Sequence, residues 1–186
     1  MAKAKKSLSK KNRHGKTVVK SAQAKSPKPS ISARYLTELC EELEKAAAGL
    51  FHISEQDCPY EFFTLHRRDL FQDKDKLTAL EFLSGFGISE ELINEFKLPV
   101  DQLIEVRTFD NFSPSIEDIA EYYGTDTNDK KVISESKRYR RLEALLGKRL
   151  HDINVFRVGK IEVRCYIAGL AKHGNIAGLV TTSIET

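Results

Sequence analysis

The last 33 residues of the 186-residue chain constrain its fold most. Asn154 to Val158, Ile161 to Leu170 and Ile176 to Ile184 read as three strands rich in β-formers. Side chains alternate between the two faces of a strand, so Ile161, Val163, Cys165 and Ile167 share one apolar face. Gly159-Lys160 has the form of a two-residue hairpin turn, and His173-Gly174-Asn175 marks a second turn. Three strands joined by short turns make an antiparallel meander. A sheet face must be buried by another layer, so the upstream chain has to supply helices, and the fold class expected is α+β.

The upstream chain carries the patterns for this. Leu36, Leu39, Cys40, Leu43, Ala46 and Ala47 recur at helical spacing, which predicts a helix over 33–48, capped by Ser30 or Ser32 and stopped at Gly49. Tyr60 to Leu65 reads as a strand, Arg67 to Lys76 as a charged loop, and Leu103 to Phe109 as a strand. Leu77 to Leu83 and Glu90 to Phe96 read as short helices. Ser113-Pro114 and the box Ser115-Ile116-Glu117-Asp118 open a helix that ends near Gly124. Thr125 to Lys130 is a polar turn. Ser136 to Leu150 is a longer helix, with Tyr139, Leu142, Leu145, Leu146 and Leu150 facing the core.

Charge divides the chain in two. Residues 1–33 hold nine Lys and one Arg and no acidic residue, a formal +10. Removing those ten from the thirty basic residues, against twenty-seven acidic ones, leaves 34–186 at −7. The first segment has nothing aromatic to bury, so its composition predicts a disordered basic arm ahead of a single domain over 34–186. The functional reading of the arm is attraction to nucleic acid or another acidic surface; the alternative is a solvated tail. No apolar run reaches the length of a membrane span, and no apolar stretch follows the basic start as in a secretory signal. Cys40, Cys58 and Cys165 are widely spaced and odd in number. They suit a reducing compartment, and the cytoplasm is the expected location.

No phosphate-binding glycine loop, nucleophile elbow or metal-binding His or Cys spacing occurs, so no residue set proposes a reaction. The expectation is a non-enzyme without a cofactor. Two acidic features remain: Ser54-Glu55-Gln56-Asp57, and the chain end Ser183-Ile184-Glu185-Thr186, where carboxylates and a hydroxyl offer hard oxygen ligands.

Three blocks carry a resemblance to a known family. They are Ile53 to Phe63 with its Ser54-Glu55-Gln56-Asp57-Cys58-Pro59 core, Val155 to Val163, and Gly174 to Thr186 ending in Glu185-Thr186. In order and ending they resemble the nuclease A inhibitor family, over roughly residues 36–186. The resemblance implies an α-β-α sandwich of the pathogenesis-related type with a mainly antiparallel sheet. It implies tight binding to a Mg²⁺-dependent, sugar-nonspecific endonuclease whose active site is blocked. It also implies contact residues: Glu55, Thr186 with Glu185 beside it, and an aspartate before the long helix that matches Asp126. No metal site of its own is implied; Thr186 would approach the magnesium of the nuclease. The family has a tryptophan next to that aspartate, where this chain has Thr127 and no Trp anywhere. Two other readings compete: a nucleic-acid-associated protein acting through the arm, and a diverged adaptor that kept the fold without inhibition.

Overall fold

The computed structural model describes residues 30–54, 57–65, 76–87 and 104–184. Helix α1 (Ile31–Ala47) starts at Ser30, whose Oγ accepts the Ala33 N–H at 3.1 Å. Ser32, the other candidate cap, instead accepts a bond from Asn175 Nδ2 at 3.0 Å. Two short strands follow, β1 (Phe51–His52) and β2 (Cys58–Pro59), paired antiparallel. β3 (Glu61–Leu65) leads to α2 (Ala79–Gly85), which Thr78 and Glu81 open as a reciprocal capping box. β4 (Glu105–Thr108) precedes α3 (Ile116–Tyr123) and α4 (Lys130–Arg149). The chain then forms β5 (His151–Val158), β6 (Glu162–Leu170) and β7 (Ile176–Ile184).

The expected meander exists as the middle of a larger sheet. Five antiparallel strands lie in the order β3-β7-β6-β5-β4. Residues 90–96, read as a helix, lie outside the described residues, as does most of the charged 67–76 segment. Residue parity then sorts the core. Ile167, Ala177 and Leu179 face Leu39 and Leu43 of α1, Ile119 of α3, and Tyr139, Leu142 and Leu146 of α4. Their sequence neighbours Ala168 and Ile176, with Phe156, face Phe82 and Leu83 of α2 on the opposite side. The layers are therefore helix, sheet, helix, and the fold class is α+β. Gly178 is required inside this sheet, because a Cβ there would sit 1.8 Å from the Ile167 carbonyl oxygen.

Three expectations change. The β5–β6 connection is longer than two residues, since Val158 pairs with Arg164. Gly159 has φ +120°, and a Cβ there would lie 2.3 Å from the Glu162 oxygen, so the loop folds tightly on itself and turns Ile161 outward, 70% exposed. The long helix begins at Lys130 rather than Ser136, because Asp129 caps it through the Lys131 N–H at 2.6 Å. Cys40 is half-buried, whereas Cys165 is the expected core thiol.

Candidate functional site

Chain direction places three distant segments at one end of the molecule. β7 starts beside α1, where Asn175 meets Ser32, and runs away from it to Ile184. α4 runs antiparallel to α1, with Arg149 on Glu42 and Arg138 on the Ala48 carbonyl, so its first turn points to the far end. β1 and β2 lie there too. Thr181 Oγ1 of β7 donates to the Cys58 carbonyl at 3.1 Å, and Glu61 pairs with Val180.

The β1–β2 hairpin is held on both sides. Tyr139 of α4 is fully buried, and its hydroxyl accepts the Phe51 N–H at 3.3 Å while donating to the Phe51 carbonyl at 2.5 Å. Burial pushes its pKa up to about 12, so it stays a neutral donor. On the outer side, the Tyr122 hydroxyl of α3 donates to the Asp57 carboxylate, which raises the phenol pKa. Glu55, the first expected contact residue, falls between these two anchored flanks but outside the described residues.

Helix α3 opens as the sequence predicts. Ser115 Oγ accepts the Asp118 N–H at 3.0 Å, and Asp118 Oδ2 accepts the Ser115 N–H at 2.8 Å. Bonds to the carboxylate from the Ser115 hydroxyl and from the Ser115 N–H hold the Asp118 carboxyl below its ordinary pKa. The helix ends in Tyr122-Tyr123-Gly124. Tyr123 donates to Glu135 at 2.6 Å, and Lys131 Nζ sits 3.6 Å from its ring centroid. This fixes α3 on the first turns of α4, with the loop bearing Asp126 between them. The Asp126 carbonyl accepts the Asp129 N–H at 3.0 Å, and the residue itself is exposed. Thr127, at the position of the family tryptophan, is half-buried. Glu185 and Thr186 follow Ile184 directly and lie outside the described residues.

Asp126 and the described flanks of Glu55, Glu185 and Thr186 thus meet at one end. The reading of the residues did not single out Tyr122, Asp118 or Glu121. With Ile53 and Pro114, those three line an open cleft of about 310 Å³ between the hairpin and α3. The aromatic pair Tyr122-Tyr123 at a helix end, of which Tyr122 is the exposed member, was the signal for it, since large aromatics left outside a core often mark contacts. Five carboxylates, of Asp57, Asp118, Glu121, Asp126 and Asp129, lie at this end against the cations Lys130 and Lys131 of the first turn of α4, which leaves an excess of acid among these residues. Among the described residues, no group of three or more His, Cys, Asp or Glu could hold a metal ion, and no helix is long and apolar enough to cross a membrane. Burial and the neighbouring Glu44 push the Cys40 thiol pKa up, which opposes thiolate formation.

The sequence matches the family model described as nuclease A inhibitor-like protein over residues 37–186. No curated protein matches it.

Proposed function

The chain belongs to the nuclease A inhibitor-like family, and from that premise we propose that it binds a Mg²⁺-dependent, sugar-nonspecific endonuclease and blocks its active site. The contact surface is the anionic end, through Glu55, Asp126, Glu185 and Thr186. One observation carries this reading: the hairpin that leads to Glu55, the loop of Asp126 and the strand that leads to Thr186 converge there from three separate parts of the chain.

The chemistry follows from the substrate of such an enzyme. A groove for a polyanion is positive and holds a metal that binds phosphate oxygens. Carboxylates and a hydroxyl at phosphate-like positions compete for both. The excess acid of residues 34–186, a formal −7, would steer them into the groove. In this reading Thr186, with Glu185, reaches the metal region and Glu55 pairs with a groove cation. Residues 34–186 act as one domain, the arm takes no part in the block, and the protein works in the cytoplasm.

The test titrates full-length protein, a version lacking Glu185 and Thr186, and a version lacking residues 1–33 into an endonuclease assay. The enzyme is the producing organism's own. Inhibition should saturate near one to one, survive loss of the arm, and weaken on the C-terminal truncation. Loss of one buried charged partner costs about 2–5 kcal/mol of affinity. No inhibition by a large excess of intact protein would overturn the reading. The +10 arm supports a second one, contact with nucleic acid. That affinity would fall steeply with salt and disappear with residues 1–33.

A further inference from the structure

Helix α4 concentrates positive charge on an acidic domain. Its 20 residues hold eight Lys or Arg against Glu135 and Glu143, a formal +6. Residues 34–186 carry −7 in total, so without α4 they would stand at −13. The fold sorts these charges by direction. Glu135 is buried and Glu143 half-buried, and each accepts a hydroxyl bond at 2.6 Å, from Tyr123 and Ser113 respectively. Three of the cations are engaged by neighbouring elements: Lys131 over the Tyr123 ring, Arg138 on the Ala48 carbonyl and Arg149 on Glu42. The acids of α1 that reach α4, Glu42 and Glu38, act on that same Arg149.

The other five, Lys130, Lys137, Arg140, Arg141 and Lys148, are exposed. At 3.6 residues per turn, Lys130, Lys137, Arg141 and Lys148 fall within about 40° of one another, opposite the buried Val132, Tyr139, Leu142 and Leu146. They form a line about 27 Å long down the outer side of the helix, and Arg140 widens it. Among the described residues, no carboxylate forms an ion pair with Lys130, Lys137, Arg140 or Arg141. Lys148 acts on Glu42, which Arg149 already holds. Ser134 and Ala144 occupy the positions between, so neither an acid nor a large apolar side chain interrupts the line.

We propose that this outer face of α4 binds the phosphate backbone of nucleic acid without sequence preference. A backbone carries its charge along a line, and the length of the cationic line matches about eight stacked nucleotides of one strand at about 3.4 Å each. Phosphate contacts need cations and close approach, which the small Ser134 and Ala144 allow, and they need no base-reading group. An acidic protein partner would draw on aromatic or aliphatic anchors, and the line has none. Unlike the cations of residues 1–33, these are carried on a folded helix that the core holds in place. Nothing in this contact requires nuclease inhibition.

The test is fluorescence anisotropy of a labelled oligothymidylate of about twelve nucleotides with the full chain, between about 50 and 200 mM salt. Lys137→Gln/Arg141→Gln should lower the slope of log affinity against log salt by about 1.4, at about 0.7 per phosphate contact on a single strand. Lys137→Glu/Arg141→Glu should weaken binding at least about tenfold. Both positions are exposed, so the melting temperature should stay close to that of the parent. Lys160→Gln/Arg164→Gln removes the same charge around the β5–β6 loop and should leave the slope unchanged. Amide NMR of the full chain should show shifts between Lys137 and Lys148 on adding the oligonucleotide. Polyglutamate of the same length should bind more weakly. An unchanged slope in the α4 glutamine pair, an equal loss in the β5–β6 pair, shifts confined to residues 1–33, or polyglutamate binding as tight as that of the oligonucleotide would overturn the proposal. None of these outcomes bears on nuclease inhibition, which is measured separately.

Discussion

The two faces of the sheet are covered by different means. On one, three helices lay down a broad aliphatic layer, with Leu39, Leu43, Leu142 and Leu146 fully buried. On the other, the seven-residue α2 packs mainly through aromatic rings. Phe82 stacks on Phe156 at 4.2 Å between centroids, and its edge contacts include Phe63, Tyr166 and Phe86. The first face also carries the anionic end, because the ends of α3 and α4 and the β1–β2 hairpin belong to it. The difference teaches a division of labour. The α2 face can contribute stability without touching the proposed partner, whereas the helix face holds core and contact surface on the same elements.

Substitutions can break or sharpen this division. Phe82→Ala should have the largest effect, about 3–5 kcal/mol lost in denaturant unfolding, because a fully buried ring leaves a cavity. Inhibition per folded molecule should not change; a matching loss of inhibition would show that the two faces are coupled. Tyr139→Phe removes the hydroxyl that bridges both backbone groups of Phe51. About 1–3 kcal/mol should be lost. Inhibition should fall by more than stability accounts for, since the hairpin next to Glu55 is loosened; an unchanged inhibition constant would contradict this.

Ser115→Ala should cost about 1 kcal/mol by thermal melting, the value of an N-cap. It should leave the α2 face untouched in hydrogen exchange. The smallest expected effect is on acid stability. Bonds from Arg107, Arg149 and Ser115 lower the pKa values of Glu105, Glu42 and Asp118 respectively. A lowered folded-state pKa gives stability that is present above the ordinary values, 4.5 for Glu and 3.8 for Asp, and lost as pH falls through the folded ones. All three groups are well exposed, so screening keeps each contribution small. The melting temperature of Glu105→Gln/Asp118→Asn should therefore depend less on pH below these values than that of the parent.

How much of this was legible beforehand depends on how local the cause is. α1 and α3 were visible within a residue or two, since a hydroxyl cap and an apolar stripe act within a few residues. β7 was visible to the residue. The first turns of α4 were missed because Lys130 to Glu135 holds only two apolar residues, the adjacent Val132 and Ile133, too few to show a helical period; the contact that fixes this turn, Tyr123 on Glu135, is supplied by α3. β1 and β2 have two residues each, too few for a period, and exist through Tyr139, Tyr122 and Thr181. β4 shows no buried residue at all, yet its register on β5 sets the Glu105–Arg157 pair.

The sequence by itself determined the meander, the helical layers, the separation of a basic first segment from an acidic remainder, and the resemblance to a family that residues 37–186 belong to. Periodicity, caps and composition are local or additive, so they can be read along the chain. Only the tertiary structure decided that the hairpin, the Asp126 loop and the end of β7 share one end. Those juxtapositions depend on strand order and helix direction, which arise from closing the core and leave no trace in the spacing of the residues they bring together.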